Sequence, residues 1–174
     1  MRCEVEILSG SRWWPRLRAH LLAARSSVKV SMYLFSPNWH DKRLDLIGDF
    51  KDIARRGCQA RIILSAAPLR IGKRRPNIET AQKLLSAGWD VRVIGGRSAL
   101  HEKIIIVDER ATFIGSHNLS YSSATTNLDT SVLLHGPEAA AVATRQFWER
   151  WRLAKSAEAH RWELRAPIDL PFEP

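Results

Sequence analysis

Residues 100 to 120 read LHEKIIIVDERATFIGSHNLS, and they set an imidazole, His101, beside an ammonium, Lys103, just ahead of Ile104, Ile105, Ile106 and Val107. In an extended chain alternate side chains share a side, so His101 and Lys103 stand together while Glu102 and Asp108 point the other way. An imidazole offers a lone pair that can attack phosphorus or take a proton near neutral pH, and the ammonium next to it can hold an anion. A second apolar run, ATFIG, ends in Gly115, Ser116 and Asn118. Gly115 lets the backbone approach closely, Ser116 brings a hydroxyl and Asn118 an amide, all suited to phosphate oxygens. With Glu109-Arg110 as a hairpin connection, the end of the second run returns to the start of the first and these groups converge. A nucleophile with donors aimed at the equatorial oxygens is the arrangement that phosphoryl transfer needs.

The elements that must position this pair read as an alternation of strands and helices. Runs rich in β-branched residues cover Val5 to Leu8, Val28 to Leu34, Ala60 to Leu64 and Val91 to Ile94, with helical patterns between them. Leu44, Ile47, Phe50 and Ile53 recur at intervals of three before Gly57; Ile78, Ala81, Leu84 and Leu85 do the same before Gly88. Helices that feed strands in this way predict a parallel or mixed sheet, hence an α/β fold with a mixed β-sheet flanked by helices on both faces. After the hairpin a third strand is expected over Asp129 to Leu134. A long helix then follows over PEAAAVATRQFWERWRLAKSAEAH, with Pro137 in its first turn and Val142, Phe147 and Trp151 as its apolar side. The proline-rich tail, 166 to 174, is expected to be extended.

Length and charge bound the rest. A chain of 174 residues with 45% hydrophobic content predicts one core and one domain, 1 to 174. Its 27 Lys and Arg against 18 Asp and Glu leave a net charge of +9, which favours a polyanionic partner: nucleic acid or an anionic membrane surface. Cys3 and Cys58 are the only cysteines, too few for a disulfide framework or a usual zinc site. The N-terminus alternates like a strand and differs from a secretory leader, and no apolar run approaches the ~20 residues that cross a bilayer. The expectation is a cytoplasmic protein without membrane insertion.

The whole spacing H-x-K-x4-D-x6-G-S-x-N is filled by His101, Lys103, Asp108, Gly115, Ser116 and Asn118. H-x-K alone would signify nothing, but six positions at fixed spacing in a strand-turn-strand context are specific. The pattern resembles the HKD motif of the phospholipase D superfamily, and VKVSMYLFSPN, IARRGCQARIIL and LLSAGWDVRVI are similar to the segments that precede it in such proteins. Catalytic units of that superfamily use two such motifs, one His forming a phosphohistidine and the other protonating the leaving oxygen. This chain has one, so it resembles the single-motif bacterial endonucleases that complete the site by homodimerisation. The resemblance implies that His101 of two copies share the chemistry and that Lys103 and Asn118 bind nonbridging oxygens. It further implies that Ser116 donates a hydrogen bond nearby, that Asp108 and Gly115 are structural, and that no metal or other cofactor is required. Asp129, where similar proteins place a carboxylate, is implied to accept the second imidazole proton and fix the tautomer; its side chain is shorter than the Glu found in some of them.

Outside the motif, Arg70, Lys73, Arg74 and Arg75 in RIGKRRPN form the densest basic stretch. They are expected to track a phosphodiester backbone without reading bases. Trp39 in SPNWHDKR is a candidate to flank the site, whereas Trp13, Trp14, Trp89, Trp148 and Trp151 suit core or interface positions, and His20, His40, His117, His135 and His160 surface or structural ones. These features favour a metal-independent phosphodiesterase, most of all a nonspecific endonuclease for DNA or RNA. The alternatives are a phospholipid-directed hydrolase or transphosphatidylase, the nuclease subunit of a larger assembly, and a nucleic-acid-binding module that has lost its chemistry.

Overall fold

The computed structural model describes residues 4–36, 45–66, 75–95 and 100–157. Trp39, Arg70, Lys73 and Arg74, Leu44, Cys3 and the proline-rich tail lie outside them.

The expected alternation is present as β2 (Ser27–Met32), α2 (Leu46–Arg55), β4 (Gln59–Ser65), α3 (Pro76–Leu85) and β5 (Asp90–Ile94), with β2, β4 and β5 mutually parallel. Before them come β1 (Glu4–Ser9) and α1 (Trp13–Ala23); after them come β6 (Lys103–Val107), β7 (Ala111–Gly115), β9 (Thr130–His135), α5 (Pro137–Leu153) and β10 (Lys155–Ser156). All of these strands join one mixed eight-stranded sheet in the order β1-β9-β7-β6-β2-β4-β5-β10. Two short strands, β3 (Phe35–Ser36) and β8 (Leu119–Ser120), pair with each other outside it, and α4 (Tyr121–Thr125) follows β8.

Helices cover both faces. On one side Trp13, Leu17 and Leu21 of α1, Leu46, Phe50 and Ile53 of α2 and Ala81 and Leu84 of α3 pack on Val28, Val30, Ile62, Ile105 and Phe113. Each large side chain so buried contributes roughly 2–3 kcal/mol. On the other side α5 sets Ala140, Ala143, Phe147 and Trp151 on Ile63, Ile106 and Leu100. The aromatic residues expected in the core are there: Trp13, Trp14, Trp89 and Trp151 are buried, and half-buried Trp148 packs beside Phe147 and Trp151. Cys58 is a buried free thiol.

Three expectations need correction. Val142 is not on the apolar side of α5: it is 61% exposed, and the small Ala140 and Ala143 take the buried positions because they allow the helix close to the sheet. The helix also stops at Leu153. Arg92 donates to the Trp151 carbonyl, Ala154 turns extended, and Lys155–Ser156 adds a short antiparallel edge to β5. Finally, β2 ends at Met32 and not Leu34. The Tyr33 N–H donates to the Glu102 carbonyl, and the chain then peels away so that Phe35 pairs with Leu119.

On the α5 side of the sheet the β1 end has no helix of its own among the described residues. Ile7 pairs with Val132, Val132 with Ile114 and Ile114 with Ile104, so one apolar row crosses four strands on that face. Ile7 is 65% and neighbouring Val5 54% exposed, while Glu6, on the opposite face, is bonded to Arg16 of α1.

Candidate active site

β6 lies inside the sheet between β7 and β2, so its residues from Ile105 to Val107 are buried and only its leading end is free to carry polar groups. His101 and Lys103 occupy that end. The Lys103 ammonium donates to the His101 carbonyl at 2.9 Å and lies 3.4 Å from His101 Nδ1. Burial pushes Lys103 below the usual lysine range, and the charge of Asp129 opposes that shift.

The hairpin forms as the sequence requires. Ile104 pairs with Ile114 and Val107 with Ala111, and the turn holds Asp108 and Glu109 at φ of 52° and 53°. Left-handed backbone costs a non-glycine residue roughly 1–2 kcal/mol, and both side chains have partners that offset it. Asp108 accepts from the backbone N–H groups of Arg25, Ser26 and Ser27 and from the Ser26 hydroxyl, which fixes the start of β2. Burial would raise its carboxyl, but these donors hold it below the ordinary carboxylate range. Glu109 pairs with the buried Lys29 ammonium and accepts from Thr144 of α5.

At the other end of the hairpin, Gly115 stands against β9. A Cβ there would sit 2.4 Å from Ser131 Cα and 2.4 Å from the Thr130 carbonyl oxygen, so the close approach that demands glycine is to a neighbouring strand. That contact brings Ser116 to Asp129, the Ser116 hydroxyl donating to its carboxylate at 2.8 Å. Asp129 also accepts from the Ser123 hydroxyl at 2.9 Å and the Asn127 amide at 3.2 Å. Burial raises the Asp129 carboxyl, yet these donors, Ser116 foremost, keep it below its ordinary value. The Asn118 N–H donates to the Ser123 hydroxyl, while its side-chain Oδ1 is buried with no partner among the described residues.

Within one chain, then, His101 is joined to Lys103, and Asp129 to Ser116. Asp129 is not brought to hydrogen-bond with His101: its donors are the three above, and Nδ1 of the imidazole faces Lys103. Arg75 occupies the N-cap position of α3, its carbonyl accepting from Ile78 and Glu79, and Asp108 is buttressed far from the imidazole at the turn. His117 is structural, as expected: it is buried, stacked on Trp13 with ring centroids 4.6 Å apart and hydrogen-bonded to the Ser131 hydroxyl and the Gly10 carbonyl. No group of three His, Cys, Asp or Glu residues able to hold a metal occurs among the described residues, and no described helix is long and apolar enough to cross a membrane.

Sequence reasoning missed three supporting residues. Glu102, between the two basic groups but on the α5 side, accepts from Ser31 at 2.7 Å, Gln146 at 3.0 Å and Arg150 at 2.6 Å, which pins the leading end of β6 to both β2 and α5. Asn77, in the first turn of α3, donates to the carbonyls of Tyr33 and Ser65 and accepts from the Phe35 N–H, all at 2.8 Å. Tyr33 itself lies against the basic pair. Alternation from Lys103 points to Glu102, but nothing in the local sequence marks Asn77, whose partners are remote in the chain.

One end of the sheet thus carries a histidine beside a lysine, a hairpin locked by Gly115 and a carboxylate that accepts from two hydroxyls and an amide. A family profile described as "Cardiolipin synthase, PLD-like domain" matches residues 17–151, and the chain belongs to this phospholipase D-like family. Among solved structures, Nuc from Salmonella typhimurium, a phospholipase D family member, superposes with a TM-score of 0.76 at 19% identity, covering 89% of this chain and 98% of that one. NucT from Helicobacter pylori gives 0.74 at 19% identity, with 89% and 99% covered. Phosphatidylserine synthase of Haemophilus influenzae gives 0.67 at 16% identity, with 88% and 40% covered. No curated protein sequence matches significantly.

Proposed function

We propose that the protein is a metal-independent phosphodiesterase that cleaves nucleic acid, DNA foremost, through a phosphohistidine on His101 in a site built from two copies of the chain. The observation that carries this reading is the pairing of His101 with Lys103 at a sheet end that offers a single usable imidazole among the described residues. His117, the other histidine of the motif segment, is stacked on Trp13 and has both ring nitrogens engaged. In-line displacement at phosphorus needs a nucleophile on one side and an acid on the other, and the absence of another free imidazole beside His101 among the described residues supports a second copy as the source of the second one.

The steps balance as follows. One His101 attacks phosphorus through Nε2 as the bond from phosphorus to the leaving oxygen breaks, and His101 of the second copy gives that oxygen its proton. Water then attacks the phosphohistidine, the second imidazole takes a proton from it, and the nitrogen–phosphorus bond opens. Lys103 and Asn118 hold the nonbridging oxygens, Asn118 by donating from its Nδ2 amide. An attacking Nε2 requires a proton on Nδ1 and an acceptor for it. Asp129 does not meet His101 of its own chain, which supports a carboxylate delivered across the two-fold, Asp129 of one copy to His101 of the other.

The exposed Val5 and Ile7 of β1, continued by half-buried Val132 and Ile114, support the second copy, because apolar side chains on an open sheet face mark an interface. The net charge of +9 supports a polyanionic substrate. The likeness to a phosphatidylserine synthase favours a competing reading, phospholipid head-group hydrolysis or transfer, and the two readings separate in one assay. In chelator, with plasmid, single-stranded oligonucleotide, RNA and cardiolipin or phosphatidylcholine vesicles offered side by side, nucleic acid should be cut, less as salt rises, and lipid left intact. Released head group with intact nucleic acid would overturn the nuclease reading, and hydrolysis by a strictly monomeric protein would overturn the two-copy site. Ile7→Glu should halve the mass in solution and abolish cleavage while the far-ultraviolet spectrum is kept.

A further inference from the structure

Tyr33 is the first residue after β2, and its neighbours Met32 and Phe35 are fully buried. Its own ring instead leaves the core and lies on the site, with its centroid 4.4 Å from that of the His101 imidazole at an interplanar angle of 53°. The Lys103 ammonium sits 4.9 Å from the same centroid. One aromatic ring therefore contacts both members of the pair.

The backbone of Tyr33 is fixed on both sides. Its N–H donates to the carbonyl of Glu102, the residue between His101 and Lys103, at 2.9 Å. Its carbonyl accepts from buried Asn77 at 2.8 Å, and Asn77 binds the end of β4 as well. Glu102 in turn is held by Ser31, Gln146 and Arg150. An exposed imidazole on an irregular segment has rotamers to spare, and an ammonium on four methylenes has more. A ring anchored in this way removes most of them.

We propose that Tyr33 is the positioning residue of this site: its ring is the wall that holds the His101 imidazole edge-on to phosphorus and keeps the Lys103 ammonium beside it. The assignment rests on the phosphodiesterase reading for its catalytic consequence, but the geometry stands apart from it. The ring face attracts the ammonium electrostatically, and this interaction favours the charged form of a lysine that burial otherwise drives toward neutrality. Among the described residues the charged and titratable groups around Lys103 are His101, Tyr33 and, at longer range, Asp129. The phenol hydroxyl has no part in the role, which the ring performs alone.

The test begins with the unaltered protein. Ring current from Tyr33 should displace the His101 ring-proton resonances upfield, and Tyr33→Leu should return them toward free-histidine positions while the other histidines stay in place. With a small phosphodiester, bis(p-nitrophenyl) phosphate, Tyr33→Leu should lower kcat by about 100-fold, the scale of a misplaced reacting group, and move the alkaline limb of its pH profile to lower pH. Tyr33→Phe should recover most of that loss and keep the displaced resonances. Undisplaced His101 resonances in the unaltered protein, or Tyr33→Phe as impaired as Tyr33→Leu, would overturn the assignment. If the unaltered protein hydrolyses no phosphodiester, the functional reading falls, and the resonance comparison alone decides whether Tyr33 positions the pair.

Discussion

The two ends of the β6–β7 hairpin are built from the same pair of strands and could hardly differ more. At the turn end both residues with left-handed backbone have internal partners: Asp108 gathers three backbone N–H groups and Glu109 joins Lys29 and Thr144. At the leading end the groups are held in place but left under-used. Lys103 spends a hydrogen bond on the carbonyl of His101, and Asn118 Oδ1 is buried without a partner among the described residues. Satisfied polar groups specify a fold, whereas polar groups kept waiting cost stability and are retained where a ligand completes them. The closed end secures the register that the open end uses.

Substitutions can break this comparison, and the largest effect belongs to the open end. His101→Ala should reduce phosphodiester turnover by about four orders of magnitude, as loss of a nucleophile does, with the melting temperature unchanged because the ring is exposed; steady-state kinetics beside thermal unfolding checks both halves. Gly115→Ala sits where the hairpin meets β9 and should destabilise by about 3 kcal/mol, an overpacking cost, measurable by urea denaturation. Asp108→Ala removes the acceptor of the closed end and should cost about 2 kcal/mol while turnover per folded molecule is kept.

Acid should sharpen the same contrast. Because the Asp108 carboxyl titrates lower in the folded than in the unfolded chain, its contribution is complete above the ordinary aspartate value of about 4. It is lost as pH falls through the folded value. Urea midpoints measured from pH 6 downward should therefore decline less steeply for Asp108→Ala than for the parent. The smallest effect is expected at Val142→Lys, on the exposed side of α5: a change within about 0.5 kcal/mol, and a larger loss would mean that this position is covered in the functional assembly.

Much of this was legible in the sequence, for reasons that differ from residue to residue. The alternation of β2 through β5 could be read because three-residue periodicity and terminal glycines are local signals, and the hairpin because its two runs are adjacent. The co-location of His101 and Lys103 could be read from alternation, although β6 begins only at Lys103 and His101 lies just ahead of it. What could not be read depends on contacts distant in the chain. Asn77 looks like an ordinary polar residue after a proline, yet it closes three strand-end groups. Val142 fits the helical period as well as Ala140 does; only the closeness of α5 to the sheet selects the smaller side chains. The acceptor network of Asp129 was hidden in part for the same reason, since the β7–β9 pairing brings Ser116 to a carboxylate that nearby Ser123 and Asn127 also reach.

The nearness of β6 to β7 along the chain also bears on how the protein assembles itself. Ile105 and Phe113 face each other across a connection of a few residues, whereas β1 must find β9 over most of the chain's length. Closing a short loop costs little chain entropy and closing a long one costs more. The spacing between the basic pair and Ser116 should therefore be settled in the folding transition state, before the sheet edges arrive. Truncating Phe113 should slow refolding, while truncating Leu8 should chiefly hasten unfolding.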